Sequence, residues 1–125
     1  PGICALHEGV RFVRSMGLSQ IAAHEKMLAQ LLIAELEAMP GVRVFHGAAQ
    51  TGVVSFLLER EDVEKTAARL AAALGEKDIA VRAGLHCAPL AHESAGTLQS
   101  GTVRAGFSVF NTAREVRELV RVLSC

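Results

Sequence analysis

The sequence predicts an α+β domain: one small, largely antiparallel sheet of about four strands, with helices packed on one face. Three observations predict it. Several segments repeat apolar residues at helical spacing. Short runs rich in Val, Ile and Phe alternate with them, and two of these runs are joined by only a few residues. The order reads helix, helix, strand, strand, helix, strand, strand, helix, which a single sheet with helices on one side accommodates economically. At 125 residues the chain is read as a single domain, 1–125, long enough to bury a core without disulfide staples.

In order, Ala5 to Met16 reads as a helix, because Leu6, Val10 and Val13 recur at i, i+4 and i+7. Gly17 suits the position past a helix end, and Ser19 is read as the N-cap of a second helix over Gln20 to Ala38. Ile21, Leu28, Leu31, Leu32 and Leu36 form its apolar stripe, and Pro40-Gly41 stops it. His24 lies on the same face and reads as a structural histidine, since no partner ligand sits one turn away. Val42 to Phe45 and Thr51 to Leu58 read as an antiparallel hairpin around Gly47 to Gln50. The acidic run Glu59, Arg60, Glu61, Asp62 suits the positive end of a helix starting near Val63. Its inward stripe is Val63, Ala67, Leu70 and Leu74, and Gly75 ends it.

Ile79 to Arg82 is expected as a third strand. Gly84 to Gly101 shows no period and is expected as a functional loop. Thr102 to Phe107 is the fourth strand, with Val103, Ala105 and Phe107 toward the core and Arg104 on the other face. Thr112-Ala-Arg-Glu115 is a capping box opening a last helix with Val116, Leu119, Val120 and Leu123 inward.

Composition narrows the function. The formal net charge is zero, which disfavours a nucleic-acid partner. Trp and Tyr are absent, so a base-stacking platform has little to be built from. No apolar run is long enough to span a membrane, and no signal-peptide pattern opens the chain. Three widely spaced cysteines, Cys4, Cys87 and Cys125, argue against a disulfide framework and for a reducing, cytoplasmic setting. Cys4 and Cys125 are expected to be incidental. The start Pro1-Gly-Ile-Cys, with no methionine, reads as a processed or excised piece.

Cys87 is the candidate nucleophile. It lies in the most polar part of the chain, beyond a strand end, where Arg82 and His86 are expected to supply the positive charge that favours a thiolate. Arg82 and Arg104 flank the same loop, and arginine grips a carboxylate with a two-pronged fork. A thiol beside such a clamp points to a small amino or keto acid. The alternative for Cys87 is a small buried apolar residue, and for the arginines a solvated surface. His86, Cys87, His92 and Glu93 include zinc-ligand types, but their spacing matches no recognised site, and no metal is expected. No phosphate-binding glycine motif is present.

These residues also carry a resemblance. Val81-Arg-Ala-Gly-Leu-His-Cys-Ala88, Gly101-Thr-Val-Arg-Ala105 and Phe110-Asn-Thr112 before a helix resemble the C-terminal part of class V aminotransferase-fold enzymes. The cysteine desulfurase and selenocysteine lyase branch is the nearest in pattern. The resemblance implies that Cys87 attacks the sulfur of a cofactor-bound cysteine and becomes a persulfide. It implies that Arg104 grips the substrate carboxylate, with Arg82 and His86 beside it. The implied cofactor is pyridoxal 5'-phosphate. Its lysine belongs to a large domain upstream of these residues, and none of Lys26, Lys65 and Lys77 matches that lysine's motif. The chain is therefore expected to be a C-terminal piece, inactive alone. Implied partners are a small amino acid (cysteine or selenocysteine), a sulfur acceptor protein, and a second copy of the full-length enzyme. Two rivals stay open: another class V reaction with Cys87 a bystander, and a non-enzymatic α+β binding module.

Overall fold

Leu28, Leu32 and Leu36 stand one turn apart on a helix, so their side chains form a continuous ridge. In the computed structural model, which describes residues 1–59 and 63–124, that ridge is completely buried. It belongs to α2 (Leu18–Glu37) and seals against the strands. The remaining elements are α1 (Gly2–Met16), β1 (Val42–Phe45), β2 (Val53–Leu58), α3 (Val63–Gly75), β3 (Arg82–Gly84), α4 (Pro89–Ala95), β4 (Thr102–Gly106) and α5 (Ala113–Leu123).

The strands form one four-stranded sheet in the order β1-β2-β4-β3, and every neighbouring pair is antiparallel. Strand alternation sorts the side chains. One rung reads Val44, Phe56, Val103, Ala83 and faces the helices; Phe56 and Val103 are fully buried. The next rung reads Phe45, Ser55, Arg104, Arg82 and faces the opposite way. Helices α2 and α3 cover the first face, and α5 packs on α2 through Val116, Leu119 and Leu123. The α+β class and the antiparallel sheet are those the sequence predicts.

Several details differ from expectation. Ser19 caps nothing: α2 begins at Leu18, and its N-cap is Gly17, whose φ of 84° makes the bend between α1 and α2. A glycine adopts that angle without steric penalty, so the bend is set one residue earlier than a hydroxyl cap would set it. The third strand runs Arg82–Gly84 rather than Ile79 to Arg82; Ile79 and Val81 pack against the core from the approach to the strand. The segment 84–101 is not structureless but holds α4. Pro89 sits in its first turn, where a missing N–H costs nothing, and Gly96 ends it at φ 70°. The proposed dipole pairing at the start of α3 rests on Glu61 and Asp62, outside the described residues.

His24 behaves as structural: its Nε2 donates to the Asn111 carbonyl at 3.0 Å, tying α2 to the turn before α5. The Thr112–Glu115 capping box is complete, with Thr112 N donating to Glu115 Oε2 at 2.6 Å and Glu115 N to Thr112 Oγ1 at 3.4 Å. Leu6, Val10 and Val13 do share a face of α1, but no residue of α1 is buried. Its Phe12 stacks on Phe110 at 5.7 Å.

One contact fixes β3 against β4. Gly101 has φ 63°, and a Cβ placed on it would lie 2.7 Å from the Gly84 backbone. Gly101→Ala is expected to cost roughly 2–4 kcal/mol, combining backbone strain with a clash that only main-chain movement relieves. Gly96→Ala, at a similar φ with nothing within 4 Å, is expected to cost about 1–2 kcal/mol. Urea unfolding midpoints of the two variants measure the difference.

Candidate functional site

β3 leaves the sheet at Gly84 and turns at once. Ala88 N donates to the Leu85 carbonyl at 2.9 Å, closing a four-residue turn whose central residues are His86 and Cys87. Both have positive φ, 50° and 61°, in the region that favours glycine. Two consecutive left-handed residues with side chains are costly, of order 1–3 kcal/mol each, and persist only where the surroundings hold them. The hold is visible. His86 Nε2 lies 3.1 Å from the Thr102 carbonyl on β4. A carbonyl only accepts, so Nε2 carries the proton and Nδ1 keeps its lone pair. The consequence for Cys87 is exposure: its thiol stands on the tip of a turn and is not core. The small-buried-residue alternative for this cysteine is thereby overturned.

Arg82 and Arg104 are direct cross-strand partners on the face away from α2 and α3. Like charges placed opposite one another on neighbouring strands repel. Among the described residues neither arginine is in an ion pair, and both are exposed. Both also act on His86 by charge repulsion, and Arg104 lines the same cavity as His86. An anion between them would relieve the repulsion.

His86 itself is not a source of positive charge. Burial pushes its pKa below histidine's ordinary 6.5, the bond to Thr102 opposes that, and Arg104, His92 and Arg82 push it down further. The expectation that His86 would help Arg82 supply positive charge to Cys87 is corrected accordingly. Near neutral pH it is an uncharged imidazole, and the cations of this neighbourhood are the arginines.

Under the turn, between α4 and the sheet, lies a cavity of about 280 Å³. Arg104, Ser55 and Phe45 reach it from the sheet, His86 from the turn, and His92 and three alanines from α4 and its approach. His92 is only 8% exposed, and its ring centroid is 6.1 Å from that of His86. Sequence reasoning weighed His92 only as a zinc ligand. The missed signal was the Pro89…Gly96 bracket, which marks a short helix and puts His92 one turn beyond Ala88, over the sheet. Among the described residues no three His, Cys, Asp or Glu side chains converge as a metal site. No helix among them is long and apolar enough to cross a membrane.

Comparison with known proteins places this geometry. The aminotransferase class-V family model matches residues 1–119. A probable cysteine desulfurase of Mycolicibacterium paratuberculosis is 37% identical over 121 residues, covering 94% of this chain and 16% of its own length. A probable cysteine desulfurase of Xylella fastidiosa is 33% identical over 123 residues, covering 98% and 28%. Among solved structures, the apo cysteine desulfurase of Thermococcus onnurineus superposes with a TM-score of 0.80 at 30% identity, over 92% of this chain and 28% of that one. A cysteine desulfurase of Escherichia coli gives 0.80 at 26% identity, over 91% and 27%. The chain spans less than a third of the length of each of these relatives.

The electrostatics of the turn are open to titration. With its folded pKa lowered, His86 takes up its proton more readily in the unfolded chain, which starts to bind near 6.5. Stability from neutral His86 is therefore complete above that pH. It is lost as pH falls from there through the lower folded value. An NMR titration should place the His86 ring below ordinary histidine. Arg104→Gln should raise it only part of the way, because burial is the larger cause. Full recovery to 6.5 would contradict that ordering.

Proposed function

We propose that this chain, which belongs to the aminotransferase class-V family, is the sulfur-receiving part of a pyridoxal-phosphate cysteine desulfurase. Cys87 is the acceptor and Arg104 grips the substrate carboxylate. The observation that carries the reading is the turn Leu85 to Ala88. It spends two left-handed residues to hold an exposed thiol just past the end of the strand that sets Arg82 opposite Arg104, two arginines without an ion-pair partner among the described residues. That strain has no benefit for the fold alone, and functional sites are where such strain collects. The similarity to cysteine desulfurases more than three times as long supports the same reading.

The chain's own contribution follows from these groups. Arg104, with Arg82 beside it, binds the carboxylate and orients the substrate. The Cys87 thiolate attacks the substrate sulfur. An S–S bond forms, the substrate C–S bond breaks, and the carbon that keeps the electron pair takes a proton, giving alanine. The polar turn is exposed, so the persulfide can be handed to a second thiol, as a sulfur acceptor protein would require. Cysteine or selenocysteine fits the role of substrate equally, since both present a soft chalcogen and one carboxylate. A homodimer and a cytoplasmic setting are proposed on the family pattern.

The lysine that would hold the cofactor is proposed to lie outside this chain. Lys26 is exposed on α2, Lys77 lies beyond α3, and neither lines the cavity under Cys87. The cofactor, bound by other residues of the intact enzyme, would supply the electron sink. The chain alone is therefore expected to release no alanine from cysteine with added pyridoxal phosphate. Sustained release would refute the division of labour. In the intact enzyme, Cys87→Ser should lower the rate of alanine formation from cysteine by at least about 100-fold, the usual scale for loss of a nucleophile. Arg104→Gln should raise KM more than it lowers kcat, as loss of a ground-state carboxylate grip does.

A further inference from the structure

The Cys87 turn runs straight into α4, so whatever holds α4 also holds the backbone of the thiol. Packing anchors α4 poorly. His92 is its one buried residue, and the cavity of about 280 Å³ lies between the helix and the sheet. Its backbone bonds are local. Ala91 N and His92 N donate to the Ala88 carbonyl, Gly96 N to that of Glu93, and Thr97 N to that of His92. The 2.7 Å bond between His92 and Thr97 is local too, since Thr97 follows α4 almost at once. Among the described residues, one hydrogen bond from a side chain ties α4 to the sheet. Arg43 Nη2 donates to the Ala95 carbonyl at 3.2 Å. Ala95 ends α4, and carbonyls at a helix end have no partner within the helix.

Arg43 stands on β1 two residues before Phe45, so both point to the sheet face that α4 covers. Its guanidinium lies over the Phe45 ring, 4.8 Å from the centroid, and its Nη1 is 4.0 Å from Glu59 Oε1. Ring and carboxylate orient the planar fork and leave Nη2 for the helix end. A cation there also meets the end of the helix where partial negative charge collects. At the other end of the segment, His86 donates to the Thr102 carbonyl. Cys87 therefore lies between two ties, one to β4 and one to β1. Its left-handed φ of 61° is unfavourable by itself and persists only while the chain on both sides is fixed. Released at Ala95, α4 would shift, and Cys87 would relax toward an ordinary backbone conformation that turns the thiol elsewhere.

We propose that Arg43 is a positioning residue for sulfur transfer: by pinning the end of α4 to β1, it holds Cys87 in the left-handed conformation that aims its thiol. The inference deepens the desulfurase reading and rests on it for Cys87 as the sulfur acceptor. Arg43 does not line the cavity under the turn, so it acts through α4 and not on the substrate. The carboxylate grip, Arg104, sits on β4 and is independent of where α4 lies. Loss of the pin therefore slows transfer without weakening substrate binding.

Single-turnover persulfide formation on Cys87 in the intact enzyme tests this, together with amide hydrogen exchange over residues 91–97. Arg43→Ala should slow persulfide formation roughly tenfold or more, the scale on which a small misplacement of a reacting group costs rate. KM for cysteine should not rise, because the binding groups are untouched. Exchange over 91–97 should quicken as the helix end is freed. Glu59→Gln should leave rate and exchange unchanged, since an exposed pair at 4.0 Å contributes little and the bond to Ala95 remains. A wild-type transfer rate in Arg43→Ala, a loss carried by a higher KM, or an equal loss in Glu59→Gln overturns the proposal. Should Arg43→Ala fail to fold, Arg43→Gln, which removes the charge and shortens the reach, decides it by the same measurements. The two readings separate cleanly. If wild type forms no persulfide while Arg43→Ala quickens exchange over α4, the acceptor reading fails and the pin stands. If wild type forms the persulfide while Arg43→Ala leaves rate and exchange unmoved, the pin fails and the acceptor reading stands.

Discussion

The register of β3 against β4 is the constraint on which the site depends. Only three residues of β3 pair, and they are locked by Gly84 lying against Gly101 at a distance no side chain would permit. That close approach sets Arg82 opposite Arg104 and brings the Thr102 carbonyl within reach of His86. A one-residue slip would send Arg104 into the face that carries Val103 and Phe56, where an unpaired cation is prohibitively costly. The hydrophobic pattern of β4 therefore enforces the geometry of the arginines. Core packing and site chemistry are two faces of one strand.

The turn that follows shows how fold energy is converted into exposure of a thiol. Left-handed backbone at His86 and Cys87 is unfavourable by itself. The His86 bond to β4 and the turn bond from Ala88 to Leu85 offset it. The same burial that lets His86 make its bond also keeps it uncharged near neutral pH. The histidine beside the cysteine is then a strut, and the electrostatic work falls to arginines, which cannot lose their protons.

Much of this was legible in the sequence. The hairpin, the alternation that points Arg104 away from the core, the capping box at Thr112 and the Leu28–Leu36 ridge all follow from local pattern. What was not legible depended on contacts distant in the chain. Ser19 is a good cap in isolation, but Gly17 bends the chain first. The 84–101 segment lacks a helical period because α4 is only two turns long, and its Pro and Gly brackets were the available sign. His86 looked like a cation because its neighbours in sequence give no hint of burial or of the facing arginine on β4. The cavity, and His92 within it, exists only once α4 is laid over the sheet.

The central claim is that sulfur passes to Cys87. The most direct measurement is the mass of the Cys87 peptide from the intact enzyme, exposed to cysteine with no acceptor thiol present. The account predicts one added sulfur on that peptide, removed by a reducing agent, with the Cys4 and Cys125 peptides unchanged. Alanine formation with sulfur on another cysteine, or on none, would contradict it.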